Sequence, residues 1–314
     1  MLEKRTKPLS SGLCAGLVVA AGCLWGTAGL FVRHLNAIGL TAMTIVLLRS
    51  AVTALLLALV VLCVRPQLFR IRLRDLWCFL GTGIVSVLFF NFCYFSTIQL
   101  SSMAVAATLM YTSPVFVMLL SLCLFGERIT VRKLVALALA VAGCVLVSGV
   151  LGSGGALTPQ VLLLGLGSGL GYGLYGIFSH YALQRGYHSL TVTVYTFLFA
   201  TLGGLPFLQP AQIRTAVAAD GGWLLLWLLC YAVINTVLPF LLYTAALTGM
   251  ETSKAAVIAS VEPVMAALLG LVVFHEVPSL AAAAGILLVL VAVLVLNLGG
   301  SRLPAKTPDG GKTI

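Results

Sequence analysis

Apolar residues in this chain come in long unbroken runs, separated by short polar joints. Ten runs approach the 20 or so residues that a membrane-crossing helix needs. They cover roughly residues 11–33, 39–64, 75–97, 103–125, 131–150, 160–184, 189–208, 221–247, 253–275 and 280–298, and are numbered here spans 1 to 10. Within each run the apolar positions are continuous and do not alternate, which excludes a transmembrane barrel. The pattern predicts an all-α polytopic membrane protein of ten transmembrane helices.

The polar joints give a direction. With the amino terminus in the cytoplasm, Lys4, Arg5, Lys7, Arg65, Arg70, Arg72, Arg74, Arg128, Arg132, Lys133, Arg185, Lys254, Arg302, Lys306 and Lys312 all fall inside. Arg33 and Arg214 fall outside, and Arg49 lies within span 2. This excess of basic residues on one side is the positive-inside bias. It predicts both termini in the cytoplasm and a plasma (inner) membrane of bacterial type. It also accounts for the net charge of +10 without an acidic partner, so no nucleic-acid binding is expected.

A repeat divides the runs into two sets. Shifting the chain by 149 residues places Tyr243 on Tyr94, Pro263 on Pro114, Phe274 on Phe125 and Glu276 on Glu127. A shift of 147 places Gly169 on Gly22, Tyr172 on Trp25, Gly173 on Gly26 and Gly176 on Gly29. Spans 1–5 therefore recur as spans 6–10. Five is odd, so the halves cross the membrane in opposite senses, an inverted repeat of the kind common in secondary transporters. The expected organisation is a tail at 1–10, repeat one at 11–150, repeat two at 151–298 and a second tail at 299–314.

Composition narrows the function. The chain of 314 residues is 61% hydrophobic and 8% charged, which leaves no room for a soluble catalytic domain. The eight cysteines lie in or beside apolar runs without a C-x-x-C pair, so they read as apolar fillers. Gly171–Gly176 spells G-x-G-x-x-G but sits inside span 6, away from any βαβ context. Gly165, Gly169 and Gly173 fall four apart and read as a close-packing helix face. His275-Glu276 is not followed by the second histidine of a zinc site, since position 279 is Ser. No P-loop lysine is present. Neither a metal nor a cofactor is expected.

At this point the chain resembles the ten-helix, EamA-type members of the drug/metabolite transporter superfamily. The resemblance rests on Trp25-Gly26, on Arg49 in span 2, on Pro114…Glu127 and Pro263…Glu276, and on Glu262-Pro263, and covers roughly residues 11–298. It implies secondary transport of a small organic solute, often export, with amino acids, amines, nucleosides and sugar phosphates all carried in the superfamily. A membrane enzyme is the competing reading. It would need paired carboxylates, whereas Glu262 is the only one of the eight acids near mid-span. A channel is the other competitor.

Glu262 is thus the leading site residue. A charge at the bilayer centre costs about 2.5–3.5 kcal/mol on insertion scales, so it persists where it meets a cavity or a partner. It reads as a proton-coupling group, as the counter-ion of an amine, or as a neutral carboxyl bonding across a helix kink. Its repeat partner is Ser113. Pro114 and Pro263 each remove a backbone hydrogen bond and predict matching kinks that serve as hinges. Trp25, Tyr94, Tyr111, Tyr172, Tyr175 and Tyr243 are aromatic candidates for substrate contact, as are the buried amides Asn91 and Asn235. Arg49 reads either as a contact for a substrate anion or as a structural pair. Glu127 and Glu276 read as helix caps or partners of a neighbouring helix start, with Arg128 and Arg132 close to Glu127. The substrate, the coupling and the choice between monomer and homodimer are left open by the sequence.

Overall fold

The computed structural model describes residues 10–152, 157–275 and 279–297. Among these, helices occupy all ten expected positions and there is no strand. Eight are long and apolar enough to cross a membrane: Ser11–Ala37, Ala42–Val64, Leu73–Leu100, Met103–Phe125, Pro159–Gln184, Ser189–Phe207, Trp223–Ala246 and Thr252–Phe274. They are spans 1–4 and 6–9. Span 5 (Val131–Val147) and span 10 (Leu280–Asn297) are shorter and pack on each other. The chain is a multi-pass membrane protein. Glu276 lies outside the described residues.

Local chemistry sets the helix ends. Ser102, Thr130 and Thr158 accept a hydrogen bond from the backbone N–H three residues on, and so open spans 4, 5 and 6. Span 4 closes on Gly126 in the left-handed conformation at φ 65°, and span 9 closes on His275 at φ 56°. These two residues are 149 apart, so the same left-handed stop recurs in both halves, once with the residue that tolerates it and once without.

Five spans depart from regular α-helix, and four of them form two repeat-related pairs. Span 4 is two half-helices, Met103–Met110 and Ser113–Phe125, and span 9 is Thr252–Ala259 and Glu262–Phe274. Pro114 and Pro263 sit in the first turn of the second half, where the missing N–H costs nothing. The interruptions fall where kinks are expected from the two prolines. Spans 3 and 8 each contain a π-helical stretch, Gly81–Leu88 and Val233–Val237. The second maps onto 84–88 of the first. Span 1 is also broken, between Trp25 and Ala28, but its partner span 6 runs unbroken from Pro159 to Gln184.

Glycines set how closely these elements meet. A Cβ on Gly22 would lie 3.1 Å from the Ala259 carbonyl oxygen, and one on Gly26 would lie 2.7 Å from that of Glu262. The repeat equivalents behave alike: a Cβ on Gly169 would lie 2.9 Å from the Leu109 carbonyl oxygen, and one on Gly173 would lie 2.9 Å from Ser113 Oγ. So spans 1 and 6 each carry a glycine face that receives the break of span 9 or span 4. Gly165 extends the span 6 face against Leu109, as the four-residue spacing predicts. Gly143 of span 5 and Gly285 of span 10 approach each other's carbonyl oxygens, and the repeat maps them onto Ala292 and Ala136, both fully buried.

The outside is apolar. Leu55, Leu62, Leu163 and Leu287 are 62%, 60%, 76% and 62% exposed, as expected where lipid is the solvent. One helix was not expected. Pro210–Asp220 fills the joint between spans 7 and 8. It is pinned by Gln212 Oε1, which accepts from the Thr41 N–H and hydroxyl and from the Thr44 hydroxyl. Asp220 pairs with His34 at 3.2 Å, and His34 stacks on Trp227 at 4.2 Å.

Candidate functional site

Glu262 is the first residue of the second half of span 9. Its position follows from the break: the backbone stops being helical at Ser260–Val261, and Gly26 lets span 1 come up against it. The Tyr172 hydroxyl donates to Glu262 Oε2 at 2.7 Å. Among the described residues this is its one hydrogen bond, and no basic side chain pairs with it.

Aromatic rings close around that carboxyl group. Trp25, the last residue before the span 1 break, lies 6.1 Å from the Tyr172 ring, 5.6 Å from Tyr243 and 5.3 Å from Phe240. Phe90 lies 5.4 Å from Tyr172 and 5.8 Å from Tyr94. Tyr94 and Tyr111 are within electrostatic reach of Glu262, as is Cys144, whose side chain hydrogen-bonds Ser260. Glu262, Trp25, Phe90, Tyr94, Tyr111 and Tyr172 all keep partial exposure although each lies between helices.

The other sequence candidates hold this wall in place. The Asn235 amide donates to the carbonyl oxygens of Leu24 at 2.8 Å and Trp25 at 3.0 Å, at the point where span 1 breaks. Arg49 donates to Asn235 Oδ1 at 3.4 Å and to the Tyr231 hydroxyl at 3.5 Å, with its guanidinium 5.1 Å over the Tyr231 ring. Arg49 is thus a brace behind Trp25, although its Nε has no partner among the described residues. Tyr175 bonds Thr244 at 2.6 Å and packs 4.8 Å from Phe240. The Asn91 amide bonds the Val87 carbonyl of its own helix. Asn91, Tyr175, Asn235 and Arg49 therefore spend polar groups on protein, whereas Glu262 and the Trp25–Tyr172–Tyr94–Tyr111 group keep partial exposure.

The repeat shows which parts of this brace are old scaffold. Ser86 donates to the Gly171 carbonyl oxygen at 2.7 Å. Ser86 is the counterpart of Asn235, and Gly171 that of Leu24. Thr196 donates to Thr82 at 2.7 Å, which repeats Arg49 on Tyr231. The same two contacts are thus made twice between the halves, with larger and more polar side chains in the set beside Trp25.

Glu127 has a partner that the sequence did not show. Its carboxylate accepts from the Thr252 N–H at 2.8 Å, the Ser253 N–H at 3.3 Å and the Ser253 hydroxyl. It thus caps the start of span 9 from the end of span 4. Lys133 joins Glu127 at 3.5 Å to Glu251 at 3.0 Å. The neighbouring helix start does meet Glu127, through Lys133 and not Arg128 or Arg132, and the helix that Glu127 caps lies in the other half of the chain. Phe90, Phe240 and Ser86 were also not singled out by sequence, since nothing separates them from other residues of an apolar run.

The two halves match one family model, that of the EamA-like transporter family, over residues 12–149 and 160–298. A protein of Archaeoglobus fulgidus named as an uncharacterized transporter is 30% identical over 289 residues, covering 88% of this chain and 94% of that one. The Bacillus subtilis protein named as uncharacterized transporter YetK is 25% identical and covers 73% of this chain and 70% of its own. In fold, a protein of known crystal structure superposes with a TM-score of 0.72 at 19% identity, over 91% of this chain and 96% of the other. The glycine-lined inverted halves and the two broken spans thus belong with a shared sequence pattern, and the chain is a member of the EamA-like transporter family.

Proposed function

We propose that this transporter moves a small organic solute bearing an amine, in the export direction, by alternating access between its two inverted halves. The observation that carries this reading is Glu262: one carboxyl group without a basic partner, hydrogen-bonded by Tyr172 and faced by aromatic rings. A carboxylate among ring faces is suited to a cation, which the rings attract through their quadrupoles. When no solute is bound, a proton on Glu262 removes the cost of leaving a charge between helices. Proton and amine would then occupy the same group in turn, and that exclusion couples their movements. The charge bias of the joints supports cytoplasmic termini in a bacterial-type inner membrane.

Reconstitution in liposomes tests it. A thermal-shift screen of amino acids, amines, nucleosides and sugar phosphates supplies the transported probe. Carrier behaviour is saturable uptake accelerated by the same solute on the far side. Glu262→Gln should abolish flux driven by a pH gradient and leave a residual exchange. Unchanged gradient-driven flux in that variant rules out proton coupling at this residue, and unsaturable current points to a channel.

A further inference from the structure

We propose that Glu127 is a positioning residue for the transport cycle, the latch that holds the cytoplasmic side closed by capping the first half of span 9. The proposal rests on the alternating-access reading above. Its basis is where the contacts lie. Glu127 ends span 4 in the first half of the chain. Thr252 and Ser253 open span 9 in the second half. Their backbone N–H groups are the unpaired donors of a helix start, and the Glu127 carboxylate accepts from both. Lys133 holds the carboxylate from the other side and ties it to Glu251.

The cluster is sealed. The Glu127 and Lys133 side chains are 9% and 8% exposed, and Lys254 of the same half-helix is 4% exposed. These are the only contacts described here in which a carboxylate of one half holds backbone donors of the other. The capped piece is also the piece that must move. Thr252–Ala259 is a separate half-helix, and the break after it leaves it free to rotate without carrying Glu262–Phe274 along. Opening the cytoplasmic side then means withdrawing the Thr252 and Ser253 donors from Glu127 while Lys133 keeps the carboxylate neutralised. That shared charge lowers the cost of the released state, which is what a latch that must reopen requires.

A native reporter lies beside it. Cys14 of span 1 is fully buried, and its thiol faces the Gly249 backbone and the Lys254 side chain. The membrane-impermeant thiol reagent 2-(trimethylammonium)ethyl methanethiosulfonate, applied to inside-out vesicles and read by peptide mass spectrometry, measures how often this side opens. Glu127→Ala should raise the Cys14 labelling rate by about tenfold or more, since a hydrogen bond to a charged group holds a population difference of that order. Ser253→Ala removes the hydroxyl contact, keeps both backbone N–H contacts and should raise it less. Cys93, 2% exposed in span 3, should not change. Cys14 labelling at the wild-type rate in Glu127→Ala overturns the proposal. If that variant does not fold, a wild-type rate in Ser253→Ala does so. An equal gain at Cys93, with a lower Tm, marks general loosening and also overturns it. The labelling uses neither solute nor proton gradient, so it can fail while Glu262→Gln behaves as proposed, and the reverse.

Discussion

Adding one methyl group at Gly26 tests how the site is assembled. A Cβ there would lie 2.7 Å from the Glu262 carbonyl oxygen, 2.7 Å from Met265 Cβ and 3.0 Å from the Ala266 nitrogen. Ordinary contact begins at 3.4 Å, so the shortfall against the first two is 0.7 Å. None of the three is the end of a flexible side chain, so spans 1 and 9 must separate. Overpacking of this kind costs about 1–3 kcal/mol, offset by no more than about 1 kcal/mol from replacing glycine in helical backbone. Gly173→Ala, the repeat counterpart, meets Val117 Cγ2 at 2.6 Å and Ser113 Oγ at 2.9 Å. Ser113 Oγ can rotate away and the Val117 side chain must shift, but no backbone atom stands closer than 3.5 Å, so it should cost less than Gly26→Ala, about 0–2 kcal/mol. Gly29→Ala meets nothing within 4 Å and should be neutral or stabilising by about 0.5–1 kcal/mol. Unfolding midpoints and solute flux of the three variants in one lipid composition give the ranking, with Gly26→Ala lowest in both. A Gly173→Ala protein more impaired than Gly26→Ala would refute the reasoning, because it would mean that backbone contact is not what limits the approach of span 1 to span 9.

Four further outcomes follow from single contacts. Asn235→Ala removes the amide that donates to the Trp25 carbonyl and accepts from Arg49, while the Leu24 carbonyl keeps the Thr27 N–H and hydroxyl, and should destabilise by about 1–3 kcal/mol, whereas Ser86→Ala removes one bond at the equivalent place and should cost about 1 kcal/mol; chemical denaturation in micelles compares the two. Arg49→Lys removes the fork that reaches Tyr231 and Asn235, so it should lower the unfolding midpoint while the KM for the transported amine changes less than twofold. A large KM change with unaltered stability would instead make Arg49 a solute contact. His275→Gly relieves a left-handed residue and should stabilise by about 1 kcal/mol, seen as a raised midpoint without a change in flux.

Much of the architecture was legible because the bilayer demands it. Run length fixed the spans, and the matched positions of Pro114 and Pro263 fixed the repeat. The Pro210–Asp220 helix was not legible, since eleven residues of mixed polarity carry no membrane signal. The interruptions of spans 4 and 9 lie at the two prolines, because proline marks a discontinuity in the chain itself. Among the site residues, Glu262 and Trp25 stood out by type and position. Arg49 and Asn235 also stood out, but a buried polar group advertises only that it has a partner, and here that partner is protein. Glu127 was read as a cap, yet the helix that it caps is more than a hundred residues away, a distance that no local pattern records.

The paired π-helical stretches carry a history. A π turn is rare, and inside an α-helix it shifts every later side chain around the axis. Gly81–Leu88 and Val233–Val237 coincide under the same shift that relates the two prolines. Two independent acquisitions at one position are far less economical than a single one, so the π turn was already present in the ancestral five-helix unit before it was doubled. Glu262 stands opposite Ser113 and Asn235 opposite Ser86, so those differences arose after the doubling. The scaffold of this transporter is older than the differences between its halves, and Glu262 is a mark of what they became once they were no longer required to be identical.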